Sequence, residues 1–180
     1  MRFKPFTKKF NGGTFKFINE YADLVDTNQF TELYKIAYDK GVIVSEMTQM
    51  FYECQINPLE YMTQVPAEFL SSCPTLTEIE LPDTINRLCS SCFYDCTNVK
   101  ELVLPKSIER IDDWALANMD NLTELTIRGK LTFLDPFAIY DNPSLKTIYS
   151  IPENKEPLME KVSEIKPHIA GLCQARFVEM

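Results

Sequence analysis

Leu122-Thr-Glu-Leu125-Thr-Ile127 restates, 46 residues further on, the spacing of Leu76-Thr-Glu-Ile79-Glu-Leu81, and Val99, Leu102 and Leu104 stand halfway between them. The underlying step is 23 residues, and it aligns whole columns: Leu76, Val99, Leu122, Leu145; Ile79, Leu102, Leu125, Ile148; Val65, Leu88, Ile111, Leu134. Leu70, Phe93, Leu116 and Ile139 keep the same frame, as do Ile85, Ile108 and Leu131. A fixed period of this length marks stacked units, none of which can bury its apolar side alone. The chain is therefore expected to build a solenoid whose coils share one continuous core.

Within each unit the L-x-x-L-x-L spacing ends in an alternation of period two, which predicts a short strand, and successive strands should stack in parallel. The strands are expected to centre on Ile79, Leu102, Leu125 and Ile148. Ahead of them, Ser91-Cys-Phe-Tyr-Asp-Cys96 and Trp114-Ala-Leu-Ala-Asn-Met119 place apolar residues three or four apart, which predicts one or two helical turns per unit. The fold class expected is an α/β solenoid.

The second unit, with Cys92 and Phe93, Cys96, then Val99, Leu102, Leu104, Pro105 and Ile108, resembles the BspA-type leucine-rich repeat. Ile111-Asp-Asp-Trp-Ala-Leu116 with Leu122, Leu125 and Ile127 is similar to it too. The departures are Met119 and Asn142 in the family's cysteine place, Arg128 in its proline place, and a fourth unit whose last strand position is the polar Ser150. The resemblance spans residues 65–151 and implies a binding scaffold without a catalytic motif. Function does not follow from such a fold alone.

The flanks read as caps, residues 1–64 before the repeats and 152–180 after them, forming with them one compact unit. Asn11-Gly12-Gly13 between the segments 6–10 and 14–18 predicts a hairpin. Phe30, Leu33, Tyr34 and Ala37 then mark one face of a helix, with Asp26, Thr27 or Asn28 as N-cap and Gly41 as the stop. Met62 and Val65 share the spacing of Ile85 and Leu88, the trace of a degenerate earlier repeat. At the far end Pro157 is expected to open a helix burying Leu158, Val162 and Ile165, and Pro167 to end it before a second helical stretch carrying Ile169, Leu172 and Cys173.

With 180 residues, 45% hydrophobic content and only 5 glycines, the chain can bury a sizeable core and does not read as disordered. It has no apolar run long enough to span a membrane, and its basic start is not followed by the apolar segment of a secretory leader, so a cytoplasmic location is expected. A surface or virion location stays open, as do the oligomeric state and a leader already removed.

Chemistry-bearing residues are few. Cys89, Cys92 and Cys96, with Cys73 nearby, have a spacing that invites comparison with zinc or iron–sulfur ligands. The repeat frame argues against it: Cys73 and Cys96 share a column with Met119, and Cys92 shares one with Phe69, Ala115 and Ala138, all places for buried apolar groups. No metal or cofactor is expected, and Cys89, which has no apolar column, is expected to be the exposed thiol. The single histidine, His168, has Cys173 five residues away, a poor match on a helix, and no P-loop or dinucleotide fingerprint occurs. No catalytic residue is therefore assigned.

Charge is more informative. Residues 1–18 hold Arg2, Lys4, Lys8, Lys9 and Lys16 without an acid, so against the overall −8 the rest of the chain carries −13. Such a body repels phosphates and disfavours nucleic acid, while the basic arm can dock on the acidic solenoid. On each strand the residue before the central apolar position should face outward, giving a ladder of Glu78, Glu101, Glu124 and Thr147. The next outward column is Glu80, Val103, Thr126 and Tyr149. These eight residues are the candidate binding face. Lys100 and Lys146 precede the ladder and can soften its repulsion. The functional class expected is a non-enzymatic protein-interaction module presenting a rigid acidic surface to a basic protein partner. Two alternatives stand beside it: an inhibitor or adaptor encoded by a virus or mobile element, and a cysteine-based redox or metal protein.

Overall fold

The computed structural model describes residues 2–3, 12–156, 158, 160 and 176–180. After a short strand, β1 (Arg2–Phe3), come four helices, α1 (Gly12–Glu20), α2 (Ala22–Asp26), α3 (Phe30–Asp39) and α4 (Val44–Glu53). A 3-10 turn over Pro58–Tyr61 leads into the coils. Each coil carries two strands. The short ones, β2 (Gln64–Val65), β4 (Arg87–Leu88), β6 (Arg110–Ile111) and β8 (Phe133–Leu134), stack in parallel as one sheet. The long ones form the other.

That second sheet has the order β5 (Glu101–Leu104), β7 (Glu124–Ile127), β9 (Thr147–Ser150) and β10 (Arg176–Glu179), again parallel. In the first coil, β3 (Leu76–Glu78) instead pairs antiparallel with β1, so Ile79 is buried but stands outside any strand. Strands centred on Leu102, Leu125 and Ile148 are in place. The inward columns meet between the two sheets, where Leu76, Leu88, Val99, Ile111, Leu122, Leu125 and Ile148 are all fully buried. This is a β-solenoid, each coil burying its apolar side on the next.

The corners before the long strands are not helical turns. Glu68, Ser91 and Trp114 hold φ near +55°, and Ser72, Asp95, Asn118 and Asp141 hold φ between 51° and 59°, so two left-handed residues interrupt each of the first three corners, and one the fourth, at the 23-residue step. The amides that a helix would bond within itself go to the neighbouring coil instead. Leu70, Phe93 and Leu116 donate to the carbonyls of Cys92, Ala115 and Ala138 at 2.8–3.0 Å. The three- and four-residue spacing that suggested a helix is equally served by this double turn.

Asn142, in the family's cysteine column, is completely buried. Its Nδ2 donates to the Leu116 carbonyl at 2.9 Å, which is the bond that the Cys96 thiol makes two coils earlier to Leu70, and its Oδ1 accepts from the Met119 amide at 2.8 Å. At the end of the last coil, buried Asn154 does similar work, accepting from Leu131 and donating to Gly129.

The N-terminal cap corrects one expectation. Residues 14–18 lie within α1 and form no hairpin strand, because Thr14, Phe17 and Tyr21 turn to the core at helical spacing while Phe15 is left 56% exposed. The Thr14 hydroxyl donates to buried Glu46 of α4 at 2.9 Å, fixing that face. Helix α3 buries Phe30, Leu33, Tyr34 and Ala37 as expected, begins after Gln29 without a side-chain cap, and stops at Gly41, whose φ is +67°. Val65 pairs with Leu88, so the degenerate earlier repeat supplies the first rung of the short-strand sheet.

At the far end a 3-10 turn over Pro152–Asn154 continues into helical backbone at Lys155 and Glu156, ahead of Pro157, and buried Leu158 is helical too. The expected helical residues Val162, Ile165, Ile169, Leu172 and Cys173, the break at Pro167, His168, and the first hairpin segment 6–10 lie outside the described residues. The C-terminal cap contains a strand as well: β10 joins the long-strand sheet at its far edge.

Candidate functional site

The long-strand sheet presents the expected face. Register places Glu101 opposite Glu124, then Thr147, then Arg176, and beside that column Val103, Thr126, Tyr149 and Val178. Alternation along the strand drives this: Leu102 and Leu104 are buried while Glu101 and Val103 are exposed. Glu78 does not join the ladder, since β3 pairs with β1 and places Glu78 opposite Arg2. It nevertheless lines, with Glu80, Asp83, Glu101, Val103 and Arg128, one concavity of about 380 Å³. Glu101 and Glu124 have no ion-pair partner among the described residues, and neither Lys100 nor Lys146 reaches them. Among the described residues no fixed cation relieves the repulsion between these neighbours.

The short-strand sheet holds a group that the apolar columns conceal. Its outward column runs Gln64, Arg87, Arg110, Phe133, and one carboxylate, Asp112, lies beneath the two arginines with a side chain only 6% exposed. Arg87 donates to Asp112 Oδ2 from Nε at 2.8 Å and from Nη2 at 2.6 Å, and Arg110 Nε donates to Oδ1 at 2.6 Å. The guanidinium carbon of Arg110 stands 3.9 Å from the centre of the Phe133 ring, which is 39% exposed. Cation–π stacking and the buried carboxylate together fix the plane of that guanidinium. The 23-residue step from Arg87 to Arg110 is the one signal that could have found the pair. Asp112 recurs in its column only as Asp135, and Cys89 takes that place in the coil before, so the column does not mark it.

Next to Arg87 is a groove of about 240 Å³ between α3 and the first coil, lined by Tyr34, Tyr38, Met62, Pro66, Ala67 and Cys89, with Lys35, Asp39 and Gln64 also on its walls. Burial raises the Cys89 thiol to about 11 from its ordinary 9.0, with nearby Arg87 pulling it back, so it is a neutral thiol at pH 7. Cys54, not Cys89, is the exposed thiol among the described residues, and Cys89 is half-buried. Cys73, Cys92 and Cys96 are buried, and burial pushes the thiols of Cys92 and Cys96 upward as well. No group of three His, Cys, Asp or Glu side chains among the described residues could hold a metal ion.

The family model for a BspA type leucine rich repeat region (6 copies) matches residues 63–162, more than half of the chain. The chain belongs to the BspA-type leucine-rich repeat family. The match begins two residues before Val65, in agreement with the extra rung contributed by β2. No curated protein and no solved structure matches the chain. A repeat module of this family points to protein–protein interaction, and among the described residues no helix is long and apolar enough to cross a membrane.

Proposed function

We propose that this leucine-rich repeat protein is a non-enzymatic binding module whose long-strand sheet receives a basic segment of a partner protein. The observation that carries the reading is the in-register pair Glu101 and Glu124, which no cation among the described residues pairs, continuous with a concavity edged by Glu78, Glu80 and Asp83. A basic segment lying across the strands would neutralise this column and find Val103, Thr126 and Tyr149 as less polar contacts beside it. Its association would be accelerated by the field of a chain with net charge −8 and slowed by salt.

The test is capture from a lysate of the source organism by the immobilised chain and by a variant with Glu78, Glu101 and Glu124 all changed to Lys. The variant is expected to melt within a few degrees of the parent and to lose the captured protein. Equal capture of the same protein by both would reject the sheet as the site.

A further inference from the structure

We propose that the chain carries a second recognition site of opposite sign, built from Arg87, Arg110 and the groove beside them, which takes a partner segment bearing a carboxylate next to a large apolar side chain. This site does not depend on the acidic sheet. Asp112 occupies Nε and one Nη hydrogen of Arg87 and only Nε of Arg110, and among the described residues no protein acceptor meets the remaining N–H groups of either. The two side chains are register partners on adjacent strands, about 4.8 Å apart, and each is about 40% exposed. Two guanidinium edges, fixed from beneath by a buried carboxylate and from one side by Phe133, thus face outward. Such preorganisation lowers the ordering cost that a flexible surface arginine incurs on binding.

Charge selects the ligand. Two arginines and one aspartate leave a surplus of one positive charge, which a single carboxylate neutralises. A phosphate dianion would overshoot it, on a chain whose net charge is already −8 and with Glu109 and Asp113 adjoining in sequence. The groove selects the rest. Gln64 is the register partner of Arg87 and Cys89 lies two residues beyond it, and both line the groove, so the cation pair and the mainly apolar cleft are adjacent. At about 240 Å³ the cleft is smaller than a drug-sized pocket and suits one side chain. Lys35 and Asp39 on its helix side offset each other and add no net charge.

The test uses the full chain and a panel of blocked pentapeptides that place one Phe and one Glu at varied separations on a Gly/Ser background. Binding is followed through the arginine Nε–H and tyrosine ring signals in NMR spectra. At least one peptide should shift Arg87, Arg110 and Tyr38 together, and replacing its Glu by Gln, or Arg110 by Gln in the protein, should weaken it about tenfold. The proposal is overturned if no peptide shifts the arginine signals at millimolar concentration, if Gln peptides bind equally well, or if inorganic phosphate reproduces the shifts as strongly as the best peptide. Should Arg110→Gln prove unfolded by its melting curve, Arg110→Lys, which keeps the charge and loses the fork, must still bind more weakly. The Glu78, Glu101 and Glu124 to Lys variant should bind the peptide as the parent does, so this site and the acidic sheet stand or fall separately.

Discussion

The two sheets of the solenoid each place like charges on adjacent strands, and they resolve the repulsion in different ways. On the long-strand sheet Glu101 faces Glu124, and no cation among the described residues pairs with either. On the short-strand sheet Arg87 faces Arg110, and buried Asp112 bonds both. Like charges directly opposite in a sheet are mildly destabilising, so the first arrangement leaves a small cost that a partner can remove. The second has already turned most of its repulsion into internal structure and exposes only a remainder. A repeat architecture copies a residue type from coil to coil whether or not the copy suits the fold. The difference between the sheets therefore lies in one buried carboxylate, Asp112, set beneath both arginines.

Substitutions can break this comparison, and the largest effects lie where the sheets are alike. Leu88→Ala and Leu102→Ala remove fully buried side chains from opposite sides of one core, and each is expected to cost about 2–5 kcal/mol in denaturant unfolding. A cost confined to one of them would mean that the sheets do not share a core. Asp112→Ala should lose about 1–3 kcal/mol, because it strips three hydrogen bonds and leaves two cations side by side, although partial exposure lets water take up part of the loss. Asn142→Leu is expected to cost about 1–3 kcal/mol by orphaning the Met119 amide and the Leu116 carbonyl, and Asn142→Cys less, since a thiol can keep the second bond.

Smaller still is the alkaline effect. Burial raises the Cys89 thiol from 9.0 to about 11, so the folded chain holds that proton more tightly than the unfolded one does. Its contribution is complete below about pH 9 and is lost as pH rises towards 11, and Cys89→Ser should flatten that part of a stability–pH curve. Smallest is Glu124→Gln, expected to leave stability within about 0.5 kcal/mol or to raise it slightly. A large loss there would show that the acidic ladder is structural after all.

Much of this was legible in the sequence, and the reasons differ by residue. The columns through Leu88, Leu102 and Leu125 identified the core because stacking makes each apolar position answer to its copies. The same logic placed Cys73, Cys92 and Cys96 in the interior. The corners were misread because Phe93 and Cys96, or Ala115 and Met119, carry helical spacing, while left-handed φ at Asp95 and Trp114 is a backbone property that no apolar pattern records. Thr14 to Ile18 was misread because Asn-Gly-Gly suits a hairpin locally, whereas the contact of Thr14 with Glu46, on α4, decides the segment at long range. Of the candidate face, Glu101, Val103, Glu124, Thr126, Thr147 and Tyr149 lie in register, Glu78 and Glu80 lie outside the ladder but line the same concavity, and Arg176 at the ladder's end could not be seen from the repeats.

The strand that carries Arg176 also sets an order of assembly. Between β5 and β7, and again between β7 and β9, 19 residues intervene, but 25 lie between Ser150 and Arg176. As the chain leaves the ribosome, β9 is therefore the sheet's growing edge, with one row of backbone amides and carbonyls unmatched, until those further residues have followed. During that interval a stray strand from another nascent chain could add to β9, and the arrival of β10 covers that edge and makes β10 the sheet's last strand.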